Sequence, residues 1–164
     1  MTDHTPPRRL IGQMLLTNEL GHPLLVTSGA TGRRQLPGGT ALRRETALWT
    51  AAYHVRRQLG IHRDPGPVLT IDHTDPEPSS PGDAESLTVV VHGGSLRTAQ
   101  TACITLPQGG DTEILAWGFV DPARWPDSVD AQQQRCIEAA LTALDTGCPY
   151  LRNGRRLSSY AVTA

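Results

Sequence analysis

The apolar positions of this chain fall in short runs divided by glycine, proline and polar breaks. The run "LIGQMLLTNE" (10–19) predicts a strand, "LGH" a tight turn and "PLLVTS" (23–28) a returning strand, together a hairpin. A polar, glycine-rich stretch, "GATGRRQ", then leads to Leu36 and to Pro37-Gly38-Gly39, where regular structure must break. From about Arg43 to Leu59 the residues suit a helix, and Gly60 stands where a helix stop is expected.

In the second half, "GPVLTIDHT", "SLTVVVHGG", "ACITL" and "EILAWGFV" each read as strands. Between the first two lies "DPEPSSPGDAE", a proline- and serine-rich surface loop, and "PQGGD" forms the turn between the last two. "DPARW" breaks the sheet. Asp130 is placed to cap a helix running to about Asp145, on which Ala131, Ile137, Leu141 and Leu144 give partial helical spacing. The tail from 147 to 164 carries no clear pattern. Strands and two helices in this order, without a βαβ repeat, predict an α+β sandwich with a mixed sheet, forming a single domain over 1–164.

Composition narrows the function classes. The 164 residues suffice for one core, and the net charge of −1 at pH 7 gives no bulk attraction to nucleic acid or anionic membrane. The basic pairs Arg8-Arg9, Arg33-Arg34, Arg43-Arg44 and Arg155-Arg156 are scattered and lack an aromatic stacking pattern, so no nucleic-acid partner is expected. Every basic side chain other than histidine is arginine, which excludes lysine Schiff-base chemistry. Cys103, Cys136 and Cys148 are far apart and form no CxxC pair; with no apolar leader and no run near the roughly 20 residues of a membrane span, a reduced cytoplasmic chain is expected.

The stretch "LPGGTALRRETALWTAAYHVRRQLGI" carries a resemblance. It resembles the signature of the Nudix superfamily, G-x5-E-x7-R-E-U-x-E-E-x-G-U with U apolar. With the first glycine on Gly39, the first glutamate falls on Glu45, and the closing frame falls on Val55, Gly60 and Ile61. The flanking "HPLLVTS", "ESLTVVVHGG" and "EILAWGFVDPARW" look like the strands and corner around such a box, so the resemblance covers about residues 9–146. It implies a Nudix-like α/β/α sandwich with a loop-helix-loop and a C-terminal helix.

The departures lie at the chemistry. The family arginine falls on Tyr53, its next glutamate on His54 and its paired glutamates on Arg57 and Gln58; only Glu45 matches. In the family those carboxylates hold Mg²⁺ or a similar ion, which bridges the diphosphate and activates water. On a helix, His54, Arg57 and Gln58 share one face at i, i+3 and i+4. Three carboxylates there would carry about −3; the present set carries about +1, or about +2 with His54 protonated. Mg²⁺ wants oxygen ligands, and an arginine would repel it. No metal and no cofactor is therefore expected.

The same inversion suggests a cationic face that holds a phosphorylated or carboxylated small molecule directly, through Arg57 and the backbone N–H groups of Gly38 and Gly39. Glu45 is expected to bond loop amides or pair with a nearby arginine, Tyr53 to pack against sheet or loop, and Gln58 and His54 to line the cleft. His54 is the candidate acid or base of a metal-free enzyme. A Nudix hydrolase acting on nucleoside diphosphate derivatives, with a metal site rebuilt from Glu45 and the outer acids Glu85, Asp111 and Glu113, is the remaining alternative. Each outer acid reads first as a surface residue, and the cluster Asp72-His73-Asp75 lacks a second His or Cys at ligand spacing. A homodimer is compatible with all of these readings.

Overall fold

The structure, a computed structural model, describes residues 8–76, 84–109 and 113–157. Its elements are β1 (Arg8–Thr17), β2 (Leu24–Ser28), β3 (Arg34–Gln35), β4 (Gly38–Thr40), α1 (Ala47–Leu59), β5 (Val68–Thr74), β6 (Glu85–Ser95), α2 (Thr98–Thr101), β7 (Ile114–Phe119), α3 (Ala131–Thr146), β8 (Tyr150–Arg152) and β9 (Arg155–Arg156), with a 3₁₀ turn at Pro122–Arg124. They build a six-stranded mixed sheet in the order β4-β1-β6-β5-β8-β9 and a three-stranded sheet in the order β3-β2-β7. This is the expected α+β sandwich with a mixed sheet.

β1 sits inside the large sheet, parallel to β6 and antiparallel to β4. Its alternation feeds both faces. Met14 and Leu16 join a core with Ala51, Val55 and Leu59 of α1, while Leu15 joins one with Ile137 and Ala140 of α3. The sheet thus separates two apolar layers, α1 over one face and α3 over the other, with burial as the main stabilising term. Gly12 permits the approach of α1: a Cβ there would overlap the Ala47 carbonyl.

Helix ends follow side-chain chemistry. Thr46 caps α1 through a bond from Trp49 N–H, and Gly60 closes it in the left-handed region (φ 69°) with its N–H on Arg56 O. The helix starts at Ala47 rather than near Arg43 because Arg44 adopts φ 75°, which no helix accommodates. Asp130 caps α3 as expected, accepting from Gln133 N–H.

Two expectations are corrected, and the tail, which carries no clear pattern, acquires structure. β1 and β2 do not form a hairpin: they share one bridge, Thr17 to Pro23, and enter different sheets, because β1 satisfies its edges on β4 and β6 and β2 on β3 and β7. The turn between them is nevertheless tight, with Gly21 at φ 78° and the Asn18 side chain accepting from Leu20 and His22 N–H. "ACITL" is not a strand. Cys103 and Ile104 N–H bond back to Gln100 and Thr101 carbonyls, and Thr105 N–H caps the distant Leu59 carbonyl at the end of α1, so these donors are taken outside any sheet. The patternless tail contains β8 and β9, which turn at Asn153 (φ 51°) and Gly154 (φ 73°) and extend the sheet beside β5. The expected loop over 75–85 falls largely on 77–83, and part of the "PQGGD" turn, with the candidate acid Asp111, on 110–111, outside the described residues. Among the described residues no helix is long and apolar enough to cross a membrane.

Gly12→Ala is expected to destabilise the chain by roughly 1–3 kcal/mol through forced displacement of α1. Gly118→Ala, where an added Cβ meets nothing within 4 Å, is expected to stay within about 0.5 kcal/mol, both read by urea unfolding.

Candidate functional site

β4 is three residues long and lies at the sheet edge, paired only with β1. Its free side is closed by a side chain. Gln58, essentially fully buried at the end of α1, donates from Nε2 to Gly38 O (2.9 Å) and accepts from Gly38 N–H at Oε1 (3.1 Å). The amide thus mimics the two bonds of a neighbouring strand. The Gly38 N–H expected to meet a ligand is spent inside the fold. Gly39 must be glycine for another reason: the His54 imidazole lies against its Cα, and a Cβ would overlap the ring.

Glu113, read from the sequence as a surface acid, is the residue that organises this helix face. Gln58 Nε2 donates to its Oε1 (3.1 Å), His54 Nδ1 lies 3.6 Å from the same oxygen, and Arg57 Nε lies 3.5 Å from Oε2. The sequence held one signal for it: a histidine, an arginine and an amide donor on one face demand an acceptor from elsewhere in the chain. The Arg57 charge is therefore met by a carboxylate. Burial lowers the His54 pKa below its ordinary value; Glu113 opposes this, Arg57 reinforces it and Glu45 opposes it. His54 Nδ1 is enclosed without a hydrogen-bond partner.

Glu45 lies at the start of the helix and accepts from Leu42 N–H at 2.7 Å, a loop-amide bond of the kind expected of it. Tyr53 lines a groove with His62, Asp64 and Pro65 of the loop that follows α1. It is half-exposed, stacked on Trp49 (centroids 4.9 Å, 10° apart) and edge-on to His54 (5.4 Å), because α1 turns that face outward. The donor set does not fit the divalent ion that the resemblance implies. Arginine and a committed amide stand where ligands would, Glu45 serves a loop amide, and Glu113 faces Arg57. Among the described residues no three His, Cys, Asp or Glu side chains gather as a metal-binding group.

A cavity of about 380 Å³ opens on the other face of the sheet, under the first turn of α3, with Gly38, Gly39 and Thr40 in its wall. β4 therefore divides this cavity from the helix face. Gln13, Asp72, Thr74, Thr88, Gln132 and Gln133 contribute to its lining. Asp72 is almost wholly buried and accepts from Gly154 N–H (3.0 Å) and Gln132 Nε2 (3.3 Å); Gln132 Nε2 also reaches Thr74 Oγ1 (2.8 Å). Burial raises the Asp72 pKa, with the Gly154 and Gln132 bonds holding it back. Two enclosed polar atoms of the lining, Gln13 Oε1 and Gln133 Nε2, have no partner.

Gly38, Gly39 and Asp72 were singled out in the sequence; Gln13, Thr74, Thr88, Gln132 and Gln133 were not. The legible signal was Gln13, a polar residue inside an apolar strand, together with Gln132 and Gln133 at the start of an amphipathic helix. The Asp72-His73-Asp75 cluster disperses through strand alternation. Asp72 faces the cavity, His73 Nε2 lies 3.7 Å from Glu85, and Asp75 pairs with Arg152.

No protein-family model matches the chain, and no curated protein matches it in sequence. Solved structures match its fold. A MutT protein from Methanosarcina mazei superposes with a TM-score of 0.69 at 18% identity, covering 86% of this chain and 98% of that one. An ADP-ribose pyrophosphatase from Streptococcus suis gives a TM-score of 0.58 at 17% identity over 88% and 98% of the two chains. A UDP-X diphosphatase gives 0.65 at 12% identity over 92% and 70%. The fold of this chain is the Nudix fold.

Two outcomes follow from the Glu113 cluster. Gln58→Glu removes the donor to Gly38 O and sets one carboxylate against another; it is expected to cost roughly 2–4 kcal/mol in urea unfolding. The His54 contribution depends on pH. Its pKa is lowered by folding, so the folded state binds fewer protons than the unfolded chain. Its stabilisation is full above about 6.5 and declines as pH falls below that value and through the folded-state pKa. His54→Gln is expected to flatten the unfolding free energy over that acid window.

Proposed function

We propose that this chain is a Nudix-fold protein that binds a small ligand at the β4 edge and does not hydrolyse diphosphates by a metal-assisted route. The observation that carries the reading is the Gln58 amide, bonded at once to Gly38 N–H, Gly38 O and Glu113. A position aligned with a metal-ligating acid has become an internal donor of the fold. Pairing of Arg57 with Glu113 extends the same change, since this carboxylate is already faced by a cation.

Binding is supported on the other side of β4. A cavity of about 380 Å³ is within the range of small-ligand pockets, and enclosed polar atoms without partners are rare unless water or a ligand satisfies them. The chain's own residues supply orientation there. Amides of Gln13, Gln132 and Gln133, hydroxyls of Thr74 and Thr88 and the Asp72 carboxylate present donors and acceptors from both the sheet and the helix.

A second reading, metal-free acid–base chemistry at His54, draws on its depressed pKa and the nearby Glu113 carboxylate. It ranks below binding because the ring is pressed on Gly39 with only a small part of its surface open.

Activity separates the readings. With ADP-ribose, UDP-sugars and nucleoside triphosphates at millimolar Mg²⁺ or Mn²⁺, no turnover above a buffer control is expected. Chelator-sensitive turnover that is lost in Glu45→Gln or Glu113→Gln would instead establish a rebuilt metal site. Metal-independent turnover lost only in His54→Ala would establish the second reading.

A further inference from the structure

α1 carries a second stripe beside the one that enters the core. Ala47, Ala51, Val55 and Leu59 are buried, while Trp49, Ala52, Tyr53 and Arg56 recur at i, i+3, i+4 and i+7 and line the groove completed by His62, Asp64 and Pro65. Trp49 is 50% exposed and Tyr53 43%, and their rings stack on each other. Among the described residues, the exposed large apolar side chains concentrate here. Leu42, Leu48, Trp49 and Tyr53 lie on or just before α1, while Leu20, Leu115, Leu144 and Leu157 stand apart on the β1–β2 turn, β7, α3 and the tail. A gathered apolar patch of this kind marks an interaction surface.

The charges around the stripe say what covers it. Arg43 and Arg44, exposed just before α1, and Arg56 within it have no ion-pair partner among the described residues. Asp64, just after α1, has a side chain 92% exposed and faces His62 at 3.2 Å. One end of the patch is thus basic and the other acidic, with aromatic rings between. An unrelated partner requires no such mirrored order. A two-fold interface does, because one patch must supply both members of every contact.

We propose that the chain forms a homodimer through the outer face of α1, packed antiparallel on the same face of a second copy. With the axis between Ala52 and Tyr53, Trp49 meets Arg56 of the second copy and Ala52 meets its Tyr53. The small Ala52 side chain admits close approach of the helices, and a guanidinium over an indole face is a favourable cation–π contact. The leading end of each helix lies beside the trailing end of the other, which brings Arg43 and Arg44 to Asp64 twice over. The assembly is independent of what the β4 edge binds.

Sedimentation equilibrium of the full chain, from micromolar to about 1 mM, tests the dimer. The expected mass rises from 17.7 kDa toward twice that value. Trp49→Ser is expected to weaken association at least about tenfold. Asp64→Arg alone, and Arg43→Glu with Arg44→Glu in one chain, set like charges together at both ends of their own dimers and are each expected to associate more weakly than the unaltered chain. An equimolar mixture of these two variants joins opposite charges at both ends, and is expected to associate at least about tenfold more tightly than either variant alone. Far-UV circular dichroism confirms that each variant is folded. A monomer at every concentration overturns the proposal and leaves this face to a different partner. A dimer that Trp49→Ser does not weaken lies on another surface and overturns it equally. A dimer weakened by Trp49→Ser whose charge variants do not recover on mixing overturns the antiparallel arrangement.

Discussion

Gln58 closes the open edge of a three-residue strand. An edge strand leaves backbone donors and acceptors unpaired, and a strand as short as β4 has few bonds of its own with which to stay in place. The side-chain amide supplies the missing pair from the end of α1, 20 residues further along the chain. Helix position and strand position are thereby one variable. Everything built on β4, the His54 ring against Gly39 on one side and the cavity wall on the other, depends on that coupling.

The residue type at position 58 is what this clamp demands. A carboxylate at position 58 has no donor to offer Gly38 O, so the amide is the residue type that makes a self-sufficient clamp. Glu113 then completes the pattern from β7's leading edge, accepting a hydrogen bond from Gln58 Nε2 and facing Arg57 and His54. The cluster balances the Arg57 charge with a carboxylate belonging to the chain, whereas a row of glutamates requires an external cation to hold it together.

Much of the fold was legible because strand and helix signals are local. The apolar runs of β1, β5 and β6, the Asp130 cap and the Gly60 stop are set by residues within a few positions of one another. The failures were non-local. Nothing near "ACITL" reveals that Thr105 will cap Leu59, and nothing in "PLLVTS" reveals that β2 will leave β1 for another sheet. At the site the same division holds. The helical spacing placed His54, Arg57 and Gln58 on one face correctly, but Glu113 lies 55 residues beyond Gln58, and its role follows from the path of the chain, which local periodicity does not contain. The helix face therefore carries less net positive charge than the three side chains alone imply.

The C-terminal turn has a consequence for how the molecule comes into being. Asp72 receives a bond from Gly154 N–H across 82 positions, and β8 lies parallel to β5. Parallel pairings between distant segments form late, since the intervening chain must first be ordered. During synthesis, when domains begin to condense from their leading end, β1, β4 and α1 can assemble while β8 and β9 are still unmade. The carboxylate at the cavity floor can gain its last donor only after residue 154 has emerged, so the burial of Asp72 is completed by the far end of the described chain.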